Sequence, residues 1–502
     1  MSPTPLRIAI IGSGYGGAVA ARALTSKGHS VDLLEMGADW QKMAPRSNGY
    51  RFDPMTSPTE RSMWFEDRTD MPLSSIAGLD FVNRSIGRAA GVLGLERFAS
   101  MKVYVGRGLG GGSLANGGMA VTPLRSYFEQ VMPQVDAAEM YSVYFPRANS
   151  SLGVTPPPQD LIGTSKWYQF SRVSAAQAAR AGFKHQFVPN VYDWDYMRRE
   201  NFARVPTSAL GRQVIFGNDY GKKSLTSTIL GTALASGKVN LSTLTEVTSI
   251  RQEAQGSYTL EMKTIDFYGA TRTTYSKTYD RVILAAGSVG TNRLLLKAQA
   301  SGSIKNLPSS LGKGWGPNGN IMVARNMNAA TGSYQSGIPA MGVSNWNNSS
   351  SSVFAELAPF PAGLDLRIGL YLAITNNPNL GSFAWDAAQQ ALTLDWGPEK
   401  SAPSLAAAKA FMDAINTANP GTSYAQGLFK DGKTFADYFT YHPLGGVVLG
   451  ESTDLNGEVK GAPGLFVLDG SLIPGRIGVN PFVTITALAE RCMDRLLAAG
   501  RF

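Results

Sequence analysis

The chain has 502 residues, of which 43% are hydrophobic, and its 46 basic and 37 acidic residues give a net charge of +9. This length suggests two domains with a sizeable core, and the scattered basic residues lack the continuous stripe that binds nucleic acid. Cys492 is the single cysteine and the three histidines are far apart in sequence, which excludes an intramolecular disulfide and a cysteine-based metal cluster and disfavours any metal site. The sequence contains no stretch of about twenty uncharged apolar residues, so no membrane-spanning helix is predicted.

The first predicted elements are a strand, a glycine-rich turn and a helix. Residues 6–11 form an apolar run typical of a strand that is buried on both faces, and residues 18–24 are rich in helix formers. Between them, Gly12, Gly14 and Gly17 form a G-x-G-x-x-G motif. Its glycines allow a tight turn, a close approach to a pyrophosphate and close packing of the helix on the strand. The helix N-terminus would direct its N–H groups at the phosphates.

A second strand is predicted over residues 30–36, with Glu35 at its carboxyl end. A carboxylate there accepts hydrogen bonds from ribose hydroxyls and repels a 2′-phosphate, so the pattern predicts a dinucleotide site and disfavours NADP. The alternative is a glycine turn in an ordinary α/β protein.

A second glycine-rich segment covers residues 105–119. So much glycine suits neither a helix nor a strand interior, but it allows backbone to lie flat against a planar ligand. The alternative is a flexible loop.

The later elements alternate between the two predicted domains. The chain returns to the nucleotide domain after about residue 238. The elements predicted there are a strand over residues 238–250, a hairpin with Gly269 in its turn, and an apolar strand that ends at Gly287 and precedes a helix. Residues 349–357 and 365–374 predict strands of a second sheet, and residues 405–418 predict a helix. A short strand at 465–468 and a helix that starts at Pro481 and runs through Arg495 complete the chain.

Two polar residues near the end of the chain are candidates for chemistry. His442 lies in Tyr441-His442-Pro443-Leu444-Gly445-Gly446, and Asn480 precedes the last predicted helix. Histidine can donate or accept a proton near neutral pH, and asparagine is an uncharged donor and acceptor that fixes orientation. The alternatives are a hydrogen-bonded core histidine and a helix N-cap asparagine.

Glu356 lies within the apolar residues 353–361. Burying a carboxylate in such surroundings is costly unless it is paired or protonated, and desolvation raises its pKa, which suits a proton carrier. The alternative is an exposed glutamate on an edge strand.

Together, the first glycine motif, residues 106–119, the motif at 441–446 and Asn480-Pro481 resemble the glucose–methanol–choline (GMC) oxidoreductases. Residues 314–322, 352–356 and 469–475 narrow this resemblance, over nearly the whole chain, to the bacterial cholesterol oxidases that bind FAD non-covalently. The resemblance implies an α/β fold with a discontinuous Rossmann-like FAD-binding domain and an inserted substrate domain built on a mixed or antiparallel sheet with helices. The expected bounds are 1–42, 221–311 and 457–502 for the FAD-binding domain and 43–220 and 312–456 for the substrate-binding domain.

The resemblance also implies an activity, the oxidation of a sterol 3β-hydroxyl by O2 to give H2O2 and a ketone. His442 and Asn480 would face the substrate oxygen, and Glu356 would move a proton from C4 to C6 to convert the 5-ene-3-ketone into the 4-ene-3-ketone. The helix that begins at Pro481 would stabilise the reduced flavin anion by its dipole. The alternatives are another GMC-type alcohol oxidase or dehydrogenase, a non-catalytic flavin- or sterol-binding protein, and an NAD-dependent dehydrogenase, which the second glycine segment disfavours.

The expected FAD contacts come from the two glycine segments, the end of the second strand, single residues of the returning strands, and the start of the last helix. They are Gly12, Gly14, Tyr15, Gly16, Gly17, Glu35, Met36, Gly106, Arg107, Gly110, Gly111, Gly112, Asn116, Gly117, Met119, Val247, Gly287, Asp469, Asn480, Pro481 and Phe482. By resemblance, Met119, Asn318 and Phe354 would line a path for oxygen, with simple packing as the alternative.

The expected partners are a sterol and O2, without nucleic acid, and the expected state is a monomer. Residues 71–79 and 429–435 are candidate lids that touch a membrane transiently while substrate enters, or else ordinary surface loops. The resemblance implies a secreted protein whose export signal is absent from this chain; without such a signal the expectation is a cytoplasmic protein.

Overall fold

The computed structural model describes residues 5–73, 83–211, 213–348, 352–360 and 363–502. Within them the strands are, in chain order, β1 (Ile8–Ile11), β2 (Val31–Leu34), β3 (Leu93–Arg97), β4 (Lys102–Gly106), β5 (Lys184–Phe187), β6 (Val239–Ser242), β7 (Thr245–Gln252), β8 (Tyr258–Ile265), β9 (Thr271–Tyr279), β10 (Arg281–Leu284), β11 (Lys313–Trp315), β12 (Asn320–Asn326), β13 (Met341–Ser344), β14 (Val353–Ala358), β15 (Ile368–Thr375), β16 (Gly381–Asp386), β17 (Ala391–Asp395), β18 (Ser423–Tyr424), β19 (Phe435–Ala436), β20 (Phe439–Thr440) and β21 (Leu465–Val467).

The helices alternate with these strands. They are α1 (Tyr15–Ser26), α2 (Arg125–Val131), α3 (Ala137–Glu139), α4 (Phe145–Ser151), α5 (Gln159–Thr164), α6 (Gln169–Arg180), α7 (Trp194–Asn201), α8 (Ile229–Ala235), α9 (Gly287–Ser301), α10 (Pro398–Thr417) and α11 (Phe482–Ala498). Over the described ranges, none of the helices combines the length and the apolar character that a bilayer span requires.

A parallel sheet in the order β21-β10-β1-β2-β6 forms the nucleotide-binding part. All four residues of β1 are buried, as the apolar run predicts for a strand covered on both faces. Helices α1, α8 and α11 pack together beside this sheet. The α/β fold class with a Rossmann-like nucleotide-binding part is therefore confirmed.

The hairpin predicted next to this sheet is present as β8 and β9, and β7 extends it to an antiparallel three-stranded sheet. Gly269 in its turn has φ = +91°, a conformation that glycine adopts without steric cost. The predicted single strand over 238–250 is two strands in the structure. Leu244, between β6 and β7, has φ = +50° and turns the chain from the parallel sheet into the sheet of β7, β8 and β9.

The second large sheet is antiparallel, in the order β18-β12-β15-β14-β13-β5, with β19 also paired to β12. Successive side chains along its strands point to opposite faces of the sheet, and each face belongs to a separate apolar cluster. One face, with Ala355, Leu357 and Tyr371, packs against α6 and against α10, which contributes Phe411. The other face, which carries Met322 and Leu372, belongs to a separate apolar cluster. This second face borders the candidate active site.

Several predicted bounds differ from the observed ones. Helix α10 begins at Pro398 rather than at 405, because Pro398 occupies the first turn, where a missing N–H costs nothing, and the helix then continues through Pro403. The predicted strand at 349–357 starts at Val353 in the structure, and residues 349–351 lie outside the described residues.

Candidate active site

One large cavity, of about 860 Å³, runs from the glycine turn after β1 to the second face of the antiparallel sheet. A volume of this size lies within the range of pockets that enclose a small molecule or cofactor. Its wall contains residues from both ends of the chain, so the fold joins the motifs that the sequence separates by more than 400 residues.

The turn after β1 forms one end of this cavity. A Cβ atom on Gly12, where φ is +95°, would lie 2.4 Å from the Ala285 carbonyl oxygen, so the close approach of β1 to β10 requires glycine. At Gly14, by contrast, a Cβ would meet none of the described atoms within 4 Å, because this position faces the cavity. Gly14 is the N-cap of α1 and gives it no side-chain cap, so the first-turn N–H groups are open to an anion.

Glu35 lines the next part of the cavity wall. Its Oε2 accepts hydrogen bonds from Ser13 N (3.1 Å) and Ser13 Oγ (2.6 Å), and its Oε1 accepts one from Gly37 N (2.8 Å). The carboxylate lines the cavity together with Met36 and Val247. This position at the carboxyl end of β2 fits a ribose diol and disfavours a 2′-phosphate.

The second glycine-rich segment packs against the first. A Cβ on Gly111 would lie 2.9 Å from the Cα atom of Gly14, and a 3₁₀ turn spans Gly111–Ser113. Arg107 is held by Glu96, whose carboxylate lies 2.5 Å from Arg107 Nη2 and 2.7 Å from Arg293 Nη2. Burial lowers the pKa of Arg107, and the Glu96 charge opposes that effect.

The start of α11 meets the glycine segments at the middle of the cavity. The Tyr15 and Phe482 rings stack with centroids 5.2 Å apart, and Asn116 Nδ2 donates to the Tyr15 hydroxyl (2.6 Å). Asp469 accepts from Gly287 N (2.9 Å), which joins the start of α9 to the same wall.

These features fit a flavin dinucleotide. An uncapped helix N-terminus beside open space at Gly14 suits the pyrophosphate, Glu35 suits the ribose, and the glycine backbone of residues 106–117 offers a flat surface for a planar ring. Most expected contacts line the cavity: Gly12, Gly14, Tyr15, Gly16, Glu35, Met36, Gly106, Arg107, Gly111, Gly112, Asn116, Gly117, Val247, Gly287, Asp469, Asn480, Pro481 and Phe482.

His442 lies on the cavity wall with one ring nitrogen already occupied. Its Nδ1 is 3.2 Å from both the oxygen and the nitrogen of the Asn320 amide, and its backbone N–H donates to Thr440 Oγ1 (2.9 Å). Burial lowers the pKa of His442 to about 3, so the imidazole is neutral at pH 7. Nε2 is therefore the ring nitrogen left for a ligand.

The two glycines after His442 fix its position. A Cβ on Gly445 would lie 2.0 Å from the Gly314 carbonyl oxygen, and one on Gly446 would lie 2.2 Å from Asn292 Nδ2. Both have positive φ angles, +86° and +97°. Only glycine allows this segment to pack so closely against β11 and α9, which places His442 at the cavity.

Glu356 lies on β14 inside the antiparallel sheet, where it pairs with Gly342 on one side and Leu372 on the other. Glu356 is only 9% exposed, so the alternative of an exposed glutamate on an edge strand is wrong. Burial raises the pKa of Glu356 to about 7, while a hydrogen bond that Asn480 Nδ2 donates to Oε2 (2.9 Å) acts in the opposite direction. Such a group takes up and releases a proton near neutral pH.

Asn480 connects Glu356 to the start of α11. Its amide oxygen is buried and has no partner among the described residues, so it is an acceptor available to a hydroxyl donor. The N-cap of α11 is Pro481 and no side chain caps this helix, so the N-cap alternative for Asn480 is wrong. The uncapped helix start faces the cavity through Pro481 and Phe482.

The remaining wall around Glu356 is mainly apolar. Met322, Leu372 and Glu356 occupy one register on three adjacent strands, and Leu370 pairs with Ala358 two residues further along. Because alternate strand residues share a face, all of them line the cavity. The buried carboxylate and His442 are thus polar groups at the edge of a hydrophobic surface.

Five predicted site residues are not on the cavity wall. Gly17 and Gly110 pack behind it, and Gly17 could not carry a Cβ because Gly12 O would lie 2.0 Å away. Met119 and Phe354 form a small apolar cluster with Val479, and Asn318 holds the chain before Asn480 by donating to Val479 O (2.8 Å). The predicted oxygen path along Met119, Asn318 and Phe354 stays a prediction.

Sequence reasoning missed Asn320, which is buried and occupies Nδ1 of His442. It lies in the 314–322 segment that supports the family resemblance, but no motif marks its role. The candidate lids are partly described: Pro72 and Leu73 line the cavity, and Leu73 pairs with Phe429 in an isolated bridge. Residues 74–79 lie outside the described residues.

Comparison with known families gives three matches. Residues 318–430 match the GMC oxidoreductase C-terminal family, residues 384–489 match the GMC oxidoreductase family, and residues 10–52 match an NAD(P)-binding Rossmann-like domain. The matches cover the glycine motif at one end and Glu356, His442 and Asn480 at the other.

The chain is also similar to individual proteins over its full length. It is 24% identical to a cholesterol oxidase of Acinetobacter baumannii, over 97% of this chain and 94% of that protein. A pyridoxine 4-oxidase of Mesorbium loti has a TM-score of 0.61 at 14% identity and covers 98% of this chain and 99% of its own. An FAD-dependent oxidoreductase of Chaetomium thermophilum has a TM-score of 0.66 at 13% identity, with 99% and 100% covered. The findings together support a GMC-type, flavin-dependent alcohol oxidoreductase.

Proposed function

We propose that this GMC-type, flavin-dependent alcohol oxidoreductase oxidises the 3β-hydroxyl of cholesterol and related sterols with O2, and isomerises the resulting 5-ene-3-ketone to the 4-ene-3-ketone. The observation that carries the proposal is the pairing of Asn480 Nδ2 with the buried Glu356 carboxylate, 2.9 Å apart, on the same cavity wall as His442. An oxidation alone does not need this carboxylate, whereas moving a proton between two carbons of the product needs a group that acts as base and then as acid, which Glu356 can supply.

The neutral His442 imidazole is the proposed acceptor of the hydroxyl proton. When the Asn320 oxygen accepts from Nδ1–H, Nε2 carries the lone pair and can accept that proton. The unpartnered Asn480 oxygen orients the same hydroxyl. FAD, held non-covalently by the two glycine segments, Glu35 and the start of α11, would supply the acceptor for the hydride.

Glu356 is the proposed base and acid of the isomerisation. Its carboxylate takes a proton from C4 and returns it to C6, and a pKa of about 7 allows both steps near neutral pH. The apolar face formed by Met322, Leu370 and Leu372 suits the flat hydrocarbon skeleton of a sterol, with the polar groups gathered at one end.

The product formed on aerobic incubation with cholesterol tests this proposal. Purified protein should be yellow, release one H2O2 per sterol and accumulate a product that absorbs as a conjugated enone. Yellow protein that produces peroxide only from other alcohols would instead indicate a different GMC oxidase. Yellow but inert protein would indicate a binding protein.

A second candidate is oxidation of another alcohol by the same His442 and Asn480 pair. It is favoured by the likeness of the fold to a pyridoxine 4-oxidase and by the low 24% identity to the cholesterol oxidase relative. Steady-state comparison of cholesterol with small primary alcohols distinguishes the two candidates, because an apolar cavity gains little affinity from a small polar substrate.

Four further expectations complete the proposal. The FAD-binding domain would comprise 1–42, 221–311 and 457–502, and the substrate-binding domain 43–220 and 312–456. The protein would act as a monomer, would contact membranes transiently at the segments around Leu73 and Phe429, and would be secreted.

A further inference from the structure

Two segments at the cavity, residues 71–73 and 429–433, meet at one tyrosine hydroxyl. The Tyr438 hydroxyl donates a hydrogen bond to the Pro72 carbonyl oxygen (2.9 Å) and accepts one from the Lys430 backbone N–H (3.0 Å). Burial raises the pKa of Tyr438 to about 12, so the hydroxyl keeps its proton near neutral pH and remains a donor. A single side chain thus joins two segments that come from opposite ends of the chain.

Both segments contribute to the apolar surroundings of the cavity. Pro72 and Leu73 line it, and Leu73 pairs with Phe429 in an isolated β-bridge. Leu73 and Phe429 belong to the same apolar cluster as Met322 and Leu372, which lie on the sheet face that borders the cavity. The position of the two segments therefore determines where this part of the apolar wall lies.

The backbone of Tyr438 is held between two sheets. Tyr438 follows β19, which pairs with β12, and precedes β20, which pairs with β4. Its carbonyl oxygen accepts a hydrogen bond from Lys102 N (2.8 Å), and its ring centroid lies 5.5 Å from Lys433 Nζ. Because both its backbone and its ring are held in this way, the hydroxyl is a fixed anchor for the two segments.

We propose that Tyr438 is a positioning residue whose hydroxyl holds the two segments together and thereby fixes the apolar wall that contacts the hydrocarbon part of the substrate. Without this hydroxyl, the direct link left between the segments among the described residues is the Leu73–Phe429 bridge. The segments then separate more often, and the substrate loses apolar contact that it makes equally in the ground state and in the transition state. Such a loss weakens substrate binding and leaves the chemical step unchanged.

The inference rests on the proposed function for the identity of the substrate, whereas the link between the two segments does not depend on it. Hydrogen–deuterium exchange of the flavin-bound protein therefore tests the link without any substrate. The test variant is Tyr438→Phe, which removes only the hydroxyl and keeps the ring. The matched control is Tyr424→Phe: the Tyr424 hydroxyl also makes a hydrogen bond, to Asp413 Oδ1 (2.6 Å), but Tyr424 is not among the described residues that line the cavity.

We expect the Lys430 amide to exchange about tenfold faster in Tyr438→Phe, because it loses its hydrogen-bond acceptor, and at the wild-type rate in Tyr424→Phe. An unchanged exchange rate in Tyr438→Phe would overturn the inference. A wild-type Lys430 amide that exchanges as fast as an unprotected amide would overturn it whatever the variants do.

Stopped-flow flavin reduction by cholesterol measures the consequence for the substrate. Tyr438→Phe should raise the cholesterol concentration that gives the half-maximal rate about threefold or more, and should leave the limiting rate within about twofold of wild type. Tyr424→Phe should change neither value. An unchanged half-saturating concentration in Tyr438→Phe would overturn the inference even if exchange is faster, and so would a lower limiting rate, which would implicate Tyr438 in the chemical step.

Failure of the proposed function is a separate outcome. Wild-type protein whose flavin is not reduced by cholesterol would contradict the proposed sterol oxidation. The exchange rates of the Lys430 amide would then still decide whether Tyr438 holds the two segments together.

Discussion

Replacing Glu356 by glutamine should separate the two proposed reactions and also stabilise the protein at alkaline pH. Burial raises the pKa of Glu356 from an ordinary 4.5 to about 7. At about 1.4 kcal/mol per pKa unit, the ionised carboxylate costs the folded state about 3 kcal/mol. Glutamine is uncharged at every pH and keeps an oxygen that can accept the hydrogen bond from Asn480 Nδ2.

The direction in which the free energy of unfolding changes with pH follows from proton binding by Glu356. Below pH 4.5 Glu356 is protonated in both the folded and the unfolded chain, so the variant has no advantage. Between pH 4.5 and about 7 the folded protein holds the proton and the unfolded chain does not, so wild-type stability falls as pH rises. Above pH 7 the loss is complete, and Glu356→Gln should have a free energy of unfolding higher by up to about 3 kcal/mol.

The assay is urea unfolding of the flavin-bound protein at pH 5 and pH 8.5, with Glu451→Gln as the control because Glu451 is exposed. Product analysis accompanies it: the variant should still make H2O2 from cholesterol while the unconjugated 5-ene-3-ketone accumulates. A stability difference that is the same at both pH values would refute the buried ionisation. Conjugated product at the wild-type rate would refute the role in isomerisation.

Four other substitutions test the rest of the site. His442→Ala should slow flavin reduction by cholesterol at least about 10²-fold, because its neutral imidazole is the proposed acceptor of the hydroxyl proton, and stopped-flow reduction at wild-type speed would exclude His442 as the base. Asn320→Leu should slow the same step by about tenfold or more while FAD stays bound, since it leaves Nδ1 without the amide that orients the ring, and an unchanged rate would show that this contact is dispensable. Gly14→Val should give a folded protein whose absorbance spectrum lacks FAD, because the new side chain fits the empty cavity but occupies the place proposed for the pyrophosphate. Gly16→Ala should instead disrupt folding, since its Cβ would lie 1.3 Å from Leu468 O. Flavin retained by Gly14→Val would contradict the pyrophosphate position.

The sequence was most informative where function depends on backbone geometry. The glycine motif with Glu35 predicted the turn, the helix and the dinucleotide end of the cavity, because only glycine tolerates those close approaches and positive φ angles. The hairpin of β8 and β9 with Gly269 in its turn was predicted correctly, since alternating residues and Gly269 leave few alternatives.

The sequence could not resolve contacts between distant strands. Glu356 was compatible with an exposed edge strand until the register β13-β14-β15 showed it to be interior. Asn320 carried no motif, and its role follows only from the 3.2 Å approach to His442, 122 residues away in sequence. Met119 and Phe354 lie in an apolar cluster with Val479, and the oxygen path that the family resemblance suggested for them stays a prediction.

The sequence by itself therefore determined the local backbone forms and the residue types available for chemistry, since both depend on steric and chemical properties of neighbouring residues. Only the tertiary structure decided which of those side chains meet, which are buried and which way their pKa values shift. Those properties depend on the packing of two sheets and on desolvation by residues far away in the chain, as the burial of Glu356 shows.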